Sequence, residues 1–527
     1  MRVEDLLRRV AAEAPHSRAA WYDGQELLYG ELDKASDLLA EYLQKHLPPS
    51  ARCAILCDNS LEYCVWFFGI LKARMAVVPL DTSLSADSLA TILTDCQAEL
   101  LCAQLKFRRK LPLLLDNAIS ISAVITDSPL SYSSRTVSHI TLNEIVGPIG
   151  SSSADAKHNS GMFRPLTLND LGADRADDSL AAIFYTSGST GAGKGVMLSH
   201  KNLVSNTIAT VEYLKLTSAD SVMVILPFYY IYGNSLLLTH VAAGGTCVID
   251  NRFLYPEVVL DTMEQQEVTG FSGVPSNFQI LLGNSTFTAR KLAHLRYFTQ
   301  AGGAMATETI RRLMKGFPSK EIYIMYGQTE ASPRVSWLPP ERLAEKIGSV
   351  GIPVPGVRVI VADESGNEVP GGETGEIVVD GDNVMIGYWN QPDENRAVLK
   401  DGMLHTGDLA KRDSDGYIYI VGRKKEIIKV GGNRVSVKEV EDCLLAHDKV
   451  LEATVIGVPD PLLGETVKAV VVLRPNMTAD AKEFVLHCKQ RLADFKVPKI
   501  ISFVDALPKY QSGKVNKLQL KQEHSGQ

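Results

Sequence analysis

Short apolar runs separated by helix-length stretches restrict this chain more than any other feature. Residues 51–56 and 76–80 read as buried strands, and 38–47 and 60–72 as helices. Strands joined by helices of that length cannot pair as hairpins. They imply a parallel sheet with helices on both faces. A second run of this kind covers 222–226, 246–249 and 322–325. From about residue 357 the texture changes to short β segments with turns (RVIVADESGNEVPGG, GEIVVDGDNV, GYIYIVGRKK), which predicts a small β subdomain. The last hundred or so residues predict a compact α+β unit: a helix over 437–447, strands over 452–458 and 469–473, a helix over 481–492, then a tail. Residues 150–179 are rich in Ser, Asp and Gly and read as a surface connection. The expectation is an α/β protein. Residues 1–423 form a large body of two α/β sheet subdomains and a small β subdomain, and residues 424–527 form a small α+β domain.

Composition removes several alternatives. With 45% hydrophobic and 22% charged residues, the chain is neither disordered, collagen-like nor a disulfide miniprotein. A net charge of −7 argues against a nucleic-acid binder, whose footprint should be basic. The eight cysteines are scattered, and only Cys53 and Cys57 lie close, without the spacing of a zinc site. They read as buried, reduced thiols. The start, MRVEDLLRRVAAEAP, has charges where a signal peptide needs an apolar core, and reads as an amphipathic helix with Val3, Leu6, Leu7 and Val10 on one face. Lys72 and Arg74 interrupt the most apolar stretch, so no membrane span is expected. A reduced, cytoplasmic setting follows as an expectation.

The most informative stretch is YTSGSTGAGKGVMLSH, residues 185–200. An apolar run precedes it and a helical pattern follows at 202–213, so it reads as a loop between strand and helix. Gly188, Gly191, Gly193 and Gly195 let backbone N–H groups approach an anion. Thr186, Ser187, Ser189 and Thr190 add hydroxyls, and Lys194 adds charge. This is the composition of a phosphate-holding loop. The segment 188–194 also fits G-x-x-x-x-G-K, the P-loop pattern of nucleotide hydrolases. The next residue is Gly195, however, where that pattern needs a Ser or Thr for Mg²⁺.

The motif YTSGSTG-xx-KG resembles the signature loop of the adenylate-forming superfamily, which includes acyl- and aryl-CoA synthetases, peptide-synthetase adenylation domains and luciferases. The resemblance continues in order through LPFYYIYG (226–233), MYGQTE (325–330), GSVGIP (348–353), GETGEIV (372–378), HTGDL (405–409), YIYIVGRKKEIIK (417–429) and LPKYQSGK (507–514). It covers nearly the whole chain and is closest to AMP-forming acyl-CoA synthetases. One departure is Gly193, where the family usually has Pro; it should loosen the loop.

The resemblance implies a reaction and roles. A carboxylate attacks the α-phosphate of ATP·Mg²⁺ to give acyl-AMP and pyrophosphate. A thiol, most simply that of coenzyme A, then takes the acyl group. The acid is already ionised at neutral pH, so the site must supply charge neutralisation rather than a base. Glu330 is implied as the Mg²⁺ ligand, Thr329 as a donor to the α-phosphate, Tyr326 and Gly327 as the adenine side, and Asp408 as the acceptor for the ribose hydroxyls. Arg423 is implied at the ribose or phosphate, and Lys514 as the ammonium that bridges carboxylate and α-phosphate from the C-terminal unit. Lys425 is the implied hinge. Lys429, Gly431, Gly432 and Arg434 are implied to approach the thiol. Residues 421–440 carry six basic side chains against two acidic ones, which suits the phosphates of coenzyme A.

Tyr230, Tyr232, Val274, Ala301, Gly302, Gly303 and Ala304 are the implied walls of the acid pocket, with Gly327 beside them. Tyr230 stands where related sequences often carry His. The substrates implied are a small-molecule carboxylic acid, ATP and coenzyme A. The alternatives are loading of an acyl carrier protein's phosphopantetheine, a P-loop NTPase, a luciferase-like oxygenase and a catalytically silent binding protein.

Overall fold

The computed structural model describes residues 1–118, 120–130, 137–150, 163–171, 177–186, 193–509 and 515–524. Two large sheets form the body. One runs in the order Gly387–Tyr388, Lys194–Ser199, Leu180–Thr186, Ala76–Pro79, Arg52–Leu56, Leu100–Ala103, Ala123–Thr126, Ser138–Thr141. It is parallel from Leu180–Thr186 to its far edge and antiparallel at the other end. The second has a parallel centre: Glu321–Gly327, Tyr297–Gln300, Gly270–Gly273, Ser221–Val224, Thr246–Ile249 and Arg18–Tyr22. Antiparallel strands close both of its edges.

Alternation of side chains explains the layering. Along Arg52–Leu56, Cys53 and Ile55 join one apolar core, while Ala54 and Leu56 join another. Along Ser221–Val224, Val222 and Val224 join the first of these cores, and Met223 joins a third. The first core is therefore shared by the facing sides of the two sheets. Helices Leu61–Lys72 and Ile231–Ala243 lie in this layer and are buried on every side. Their sequences are predominantly apolar, as a helix between two sheets requires, with a few buried polar residues such as Asn234, Ser235, Thr239 and His240. The amphipathic N-terminal helix is present as Val3–Glu13, with Val3, Leu6, Leu7 and Val10 buried.

The β-rich texture after residue 357 becomes an antiparallel sheet of Val357–Ala362, Gly375–Gly381, Met403–Arg412, Leu399–Lys400 and Ile418–Arg423. The C-terminal α+β unit is built on the hairpin Val450–Asp460/Gly464–Leu473, flanked by helices Val437–Leu445 and Ala481–Lys489. The connection read over 150–179 is described only in part. Its Phe163 is buried beneath the Arg9 guanidinium, 4.8 Å from the ring centroid, and a short helix spans Leu168–Leu171. All eight cysteines are free and buried. Among the described residues no helix is long and apolar enough to cross a membrane.

Candidate active site

The glycine-rich loop is carried by a hairpin. Leu180–Thr186 pairs antiparallel with Lys194–Ser199, placing Thr186 opposite Lys194. Helix His200–Leu214 starts only after this second strand, capped by the Ser199 hydroxyl. The loop therefore joins strand to strand, which corrects the strand-to-helix reading. The signal overlooked was the alternation in KGVMLS, where Val196 and Leu198 are buried as sheet residues. The hairpin also removes the setting a P-loop needs, in which the lysine opens a helix. Gly193 has φ +69°, which proline cannot adopt, and a Cβ there would lie 2.6 Å from the Thr186 carbonyl oxygen. Its departure from the family pattern thus reflects a backbone that requires glycine, not merely a looser loop. Ser187, Gly188, Ser189, Thr190 and Gly191 lie outside the described residues, as does Lys514.

Lys194 is held at the base of this hairpin. Its Nζ is 2.6 Å from Glu394 Oε2 and 5.0 Å from the centroid of the Tyr388 ring. The ammonium's hydrogen bond holds the Glu394 carboxyl below its usual range. Tyr388 arrives on the edge strand Gly387–Tyr388, paired with Val196. Its Oη donates to Glu330 Oε1 at 2.8 Å. Glu330 sits in the single turn Thr329–Ala331 that follows strand Glu321–Gly327. One chain of contacts therefore joins Lys194, Tyr388 and Glu330. The other carboxylate oxygen of Glu330 has no hydrogen-bond partner among the described residues.

Four residues before Glu330, Tyr326 donates from Oη to Asp408 Oδ2 at 2.7 Å. Arg423 Nε meets the other oxygen, Oδ1, at 2.8 Å. Asp408 is 3% exposed. It stands opposite Arg423 across two antiparallel strands, so backbone register sets the pair. Thr406 Oγ1 accepts from the Asp408 N–H at 3.1 Å. The nearby carboxylate raises Arg423, and burial followed by the Asp408 charge pushes the Tyr326 hydroxyl well up, so both remain protonated donors. Gly327 is dictated by packing: a Cβ there would fall 1.8 Å from the Pro333 carbonyl oxygen. Its missing side chain makes room for backbone rather than substrate.

The expected pocket residues gather around helix Ile231–Ala243. Asn59 braces the preceding loop, donating to the Leu226 carbonyl at 2.9 Å and accepting from the Phe228 N–H at 2.7 Å. Tyr230 donates to Asp81 Oδ2 at 2.8 Å. The Tyr232 hydroxyl lies 3.1 Å from the Thr299 carbonyl and 3.0 Å from Thr299 Oγ1, just before Ala301. Gly302 has φ +84°, and a Cβ there would meet Val274 Cγ1 at 3.0 Å. Val274 and Ala301 are buried, while Gly303 and Ala304 are exposed at the strand end.

Lys425 lies in the single turn Lys424–Glu426 between the last strand of the antiparallel sheet and the first strand of the C-terminal sheet, Ile428–Val430. Lys429 stands opposite Arg434 on the hairpin Ile428–Val430/Asn433–Val435, and both are exposed. Gly431 and Gly432 form its two-residue turn with φ +53° and +84°, so the turn itself requires them. Sequence reasoning missed the neighbouring anchor. Lys517 Nζ lies 2.9 Å from Glu426 Oε2 and 3.1 Å from Glu441 Oε1, tying the last helix beneath the turn. It also missed Tyr388 and Glu394, whose partners lie far away along the chain.

The donor set suits a nucleotide with Mg²⁺. No cluster of three His, Cys, Asp or Glu side chains that could hold a metal exists among the described residues. Glu330 offers one free carboxylate oxygen, which fits an ion that keeps its waters and is otherwise held by phosphates.

Fold and site together define the adenylate-forming class. The AMP-binding enzyme model matches residues 7–389 and the AMP-binding enzyme C-terminal domain model residues 439–514; the chain belongs to this family. It is 34% identical over 512 residues to a feruloyl-CoA synthase of Amycolatopsis sp, covering 97% of this chain and 96% of that one. It is 33% identical over 522 residues to a long-chain-fatty-acid–CoA ligase of Yersinia pestis, covering 95% and 90%. ATP-bound MatB from Rhodopseudomonas palustris shares the fold with a TM-score of 0.85 at 30% identity, over 100% of this chain and 99% of that one. The o-succinylbenzoate CoA synthetase MenE of Bacillus subtilis, in complex with its acyl-adenylate intermediate, gives a TM-score of 0.81 at 28% identity, over 98% and 97%.

Proposed function

We propose a division of labour for the AMP-forming acid:CoA ligase that family, fold and relatives make of this chain. An acid's carboxylate oxygen attacks the α-phosphorus of ATP, the bond to the bridging oxygen breaks, and pyrophosphate leaves. The sulfur of coenzyme A, having lost its proton, then attacks the acyl carbonyl, and AMP leaves with the electron pair.

In this reading the loop from Thr186 to Lys194 takes the phosphates, with Ser187, Gly188, Ser189, Thr190 and Gly191 supplying its backbone and hydroxyl donors. ATP draws Lys194 away from Glu394. Thr329 donates to the α-phosphate, and Glu330 would hold Mg²⁺, which would supply shielding of the phosphate charges. Tyr326 and Gly327 border adenine. Asp408, already fixed by Tyr326 and Arg423, accepts from the ribose hydroxyls; a carboxylate retains lone pairs for this. Lys514 bridges the acid and the α-phosphate. The unit 424–527 reorients about Lys425 between the two half-reactions, bringing Lys429 and Arg434 to the phosphates and thiol of coenzyme A. Tyr230, Tyr232, Val274 and residues 301–304 line the acid. The eight reduced thiols suit a cytoplasmic setting.

The observation that carries this reading is the buried Asp408, bonded through both oxygens, in direct sequence continuity through Tyr326 with the Glu330–Tyr388–Lys194 chain. A panel of carboxylic acids, assayed for pyrophosphate release with and without coenzyme A, tests it. Acid-dependent release with thioester formed only when coenzyme A is present is expected. Release of orthophosphate without any acid would overturn the reading. Acylation of a carrier protein in preference to coenzyme A would overturn the choice of acceptor.

A further inference from the structure

Asp408 does not stand on a regular strand. Strand Met403–Arg412 pairs with Gly375–Gly381 at His405 opposite Val378 and again at Leu409 opposite Glu376. Between those pairs one strand has only Ile377, while the other has Thr406, Gly407 and Asp408. The surplus forms a bulge. A bulge interrupts the ladder and re-aims the side chains on it. Here it aims Asp408, so whatever fixes the bulge also fixes the carboxylate.

Two side chains hold it. Thr406 Oγ1 donates to the Ile377 carbonyl at 2.8 Å and accepts from the Asp408 N–H. Glu376 Oε1 accepts from the Gly407 N–H at 2.9 Å. The other oxygen of Glu376, Oε2, lies 3.4 Å from His405 Nδ1 and 3.5 Å from Lys424 Nζ. The Glu376 side chain is only 13% exposed, in a strand whose next three residues are buried Ile377, Val378 and Val379. Burial pushes its carboxyl up, but the Gly407 N–H, His405 and Lys424 outweigh burial and hold it below the usual range. Burying a carboxylate is costly, and these contacts are what offset the cost.

The contacts close a ring. Glu376 holds Gly407, Gly407 precedes Asp408, Asp408 Oδ1 meets Arg423, and Lys424, next after Arg423, returns to Glu376. Lys424 in turn directly precedes Lys425, the proposed hinge. We propose that Glu376 is a positioning residue for the nucleoside: by closing this ring it fixes the bulge and thereby the direction in which Asp408 meets the ribose hydroxyls. This rests on the ligase reading above and on the role of Asp408 within it. Glu376 acts through Asp408 and not on the nucleotide itself.

The test is calorimetric titration of the full chain with AMP and with its 2′,3′-dideoxy analogue, which lacks both ribose hydroxyls. The native protein should bind AMP at least ~10-fold more tightly, the scale of one charged hydrogen bond. Glu376→Ala should cut that preference to under ~3-fold while binding the dideoxy nucleotide nearly as before, the change expected when that bond is misaimed. Glu376→Gln keeps an acceptor for the Gly407 N–H and should retain most of the preference. In an Asp408→Ala background, Glu376→Ala should cost nothing further, because both changes act on one contact. Equal weakening of both nucleotides by Glu376→Ala would mark a structural role and overturn the proposal. So would additive losses in the double variant, or a Gln variant as impaired as the Ala variant. Should Glu376→Ala fail to fold, Glu376→Asp, which keeps the charge but draws the acceptor back by one methylene, takes its place with the same expected loss. A native protein that binds AMP without telling the two nucleotides apart would overturn the role of Asp408 and this proposal, leaving the ligase reading standing. Failure to bind either AMP or ATP would overturn all three.

Discussion

The proposed nucleoside side of the site, around Asp408, and the face that carries Lys429 and Arg434 are built on opposite plans. Asp408 is buried, with both oxygens bonded and its partner fixed by strand register. Arg434, by contrast, is 72% exposed on its side chain and lies 3.7 Å from Glu364, itself 80% exposed, while Lys429 has no ion-pair partner among the described residues. Exposed pairs of that kind contribute little. The difference teaches where preorganisation is needed. Groups proposed to meet ribose in both half-reactions are set in place before substrate arrives. Groups proposed to meet coenzyme A only after the small unit turns are left unencumbered, because a strong pair would have to be broken at each turnover.

Removing the fixed side should cost most. Asp408→Ala leaves Tyr326 and Arg423 without their acceptor and is expected to lower kcat/KM for ATP by about 100-fold, the loss of one or two charged hydrogen bonds. Steady-state kinetics at varied ATP check this; a loss under ~5-fold would mean that the buried carboxylate is structural only.

The body's stability should also respond to pH more strongly than that of the small unit. Burial holds His200 down to about 3 and His240 down to about 4. The unfolded chain takes up protons near pH 6.5 that the folded body refuses, so stability falls as pH drops through that value. Between pH 7 and 5 each histidine accounts for about 2 kcal/mol. In the small unit, Asp460 is held below its usual range by the Leu463 and Leu462 N–H groups. Glu426 is also held low: burial works against this, and Lys517 overcomes it. Their contribution persists over the same interval and is lost only at lower pH, while His487, less buried than the two body histidines but also held low by burial, gives the small unit a smaller loss of the same sign. Denaturant unfolding followed at both pH values checks this, and a midpoint that does not move for the body would contradict it.

On the exposed face the effects should be smaller. Arg434→Ala is expected to raise KM for coenzyme A by roughly 10-fold, with acyl-AMP formation little changed, as for loss of one exposed phosphate contact. The smallest change is expected from Glu394→Gln. It frees Lys194 from its ion pair and should lower KM for ATP by about 2-fold to 3-fold, within the range of a partly exposed pair. A rise in that KM would mean that Glu394 positions Lys194 rather than competing for it.

Much of this was legible in the chain. The strand–helix–strand order over 51–80 predicts a parallel sheet, because strands joined by helices of that length cannot pair as hairpins, and HTGDL and MYGQTE mark Asp408, Tyr326 and Glu330 by resemblance. What escaped the sequence depends on partners brought together by folding. KGVMLS carries the alternation of a strand, but the helical pattern at 202–213 masks it until it pairs with Leu180–Thr186. The strand Arg18–Tyr22 finds its place in the second sheet by pairing with the distant Thr246–Ile249. Tyr388, Glu394 and Lys517 are ordinary surface-type residues until the distant Lys194, Glu330, Glu426 and Glu441 come beside them. Backbone geometry demands Gly193 and Gly327, a requirement that the sequence pattern alone does not display.

The central claim is that one ammonium from the C-terminal unit serves adenylate formation alone. Lys514→Ala, assayed separately for acid-dependent pyrophosphate release and for thioester formation from supplied acyl-AMP, tests it most directly. The first rate should fall at least ~100-fold, the scale of losing one preorganised electrostatic contact, and the second by less than ~10-fold. Equal loss of both rates would contradict the account.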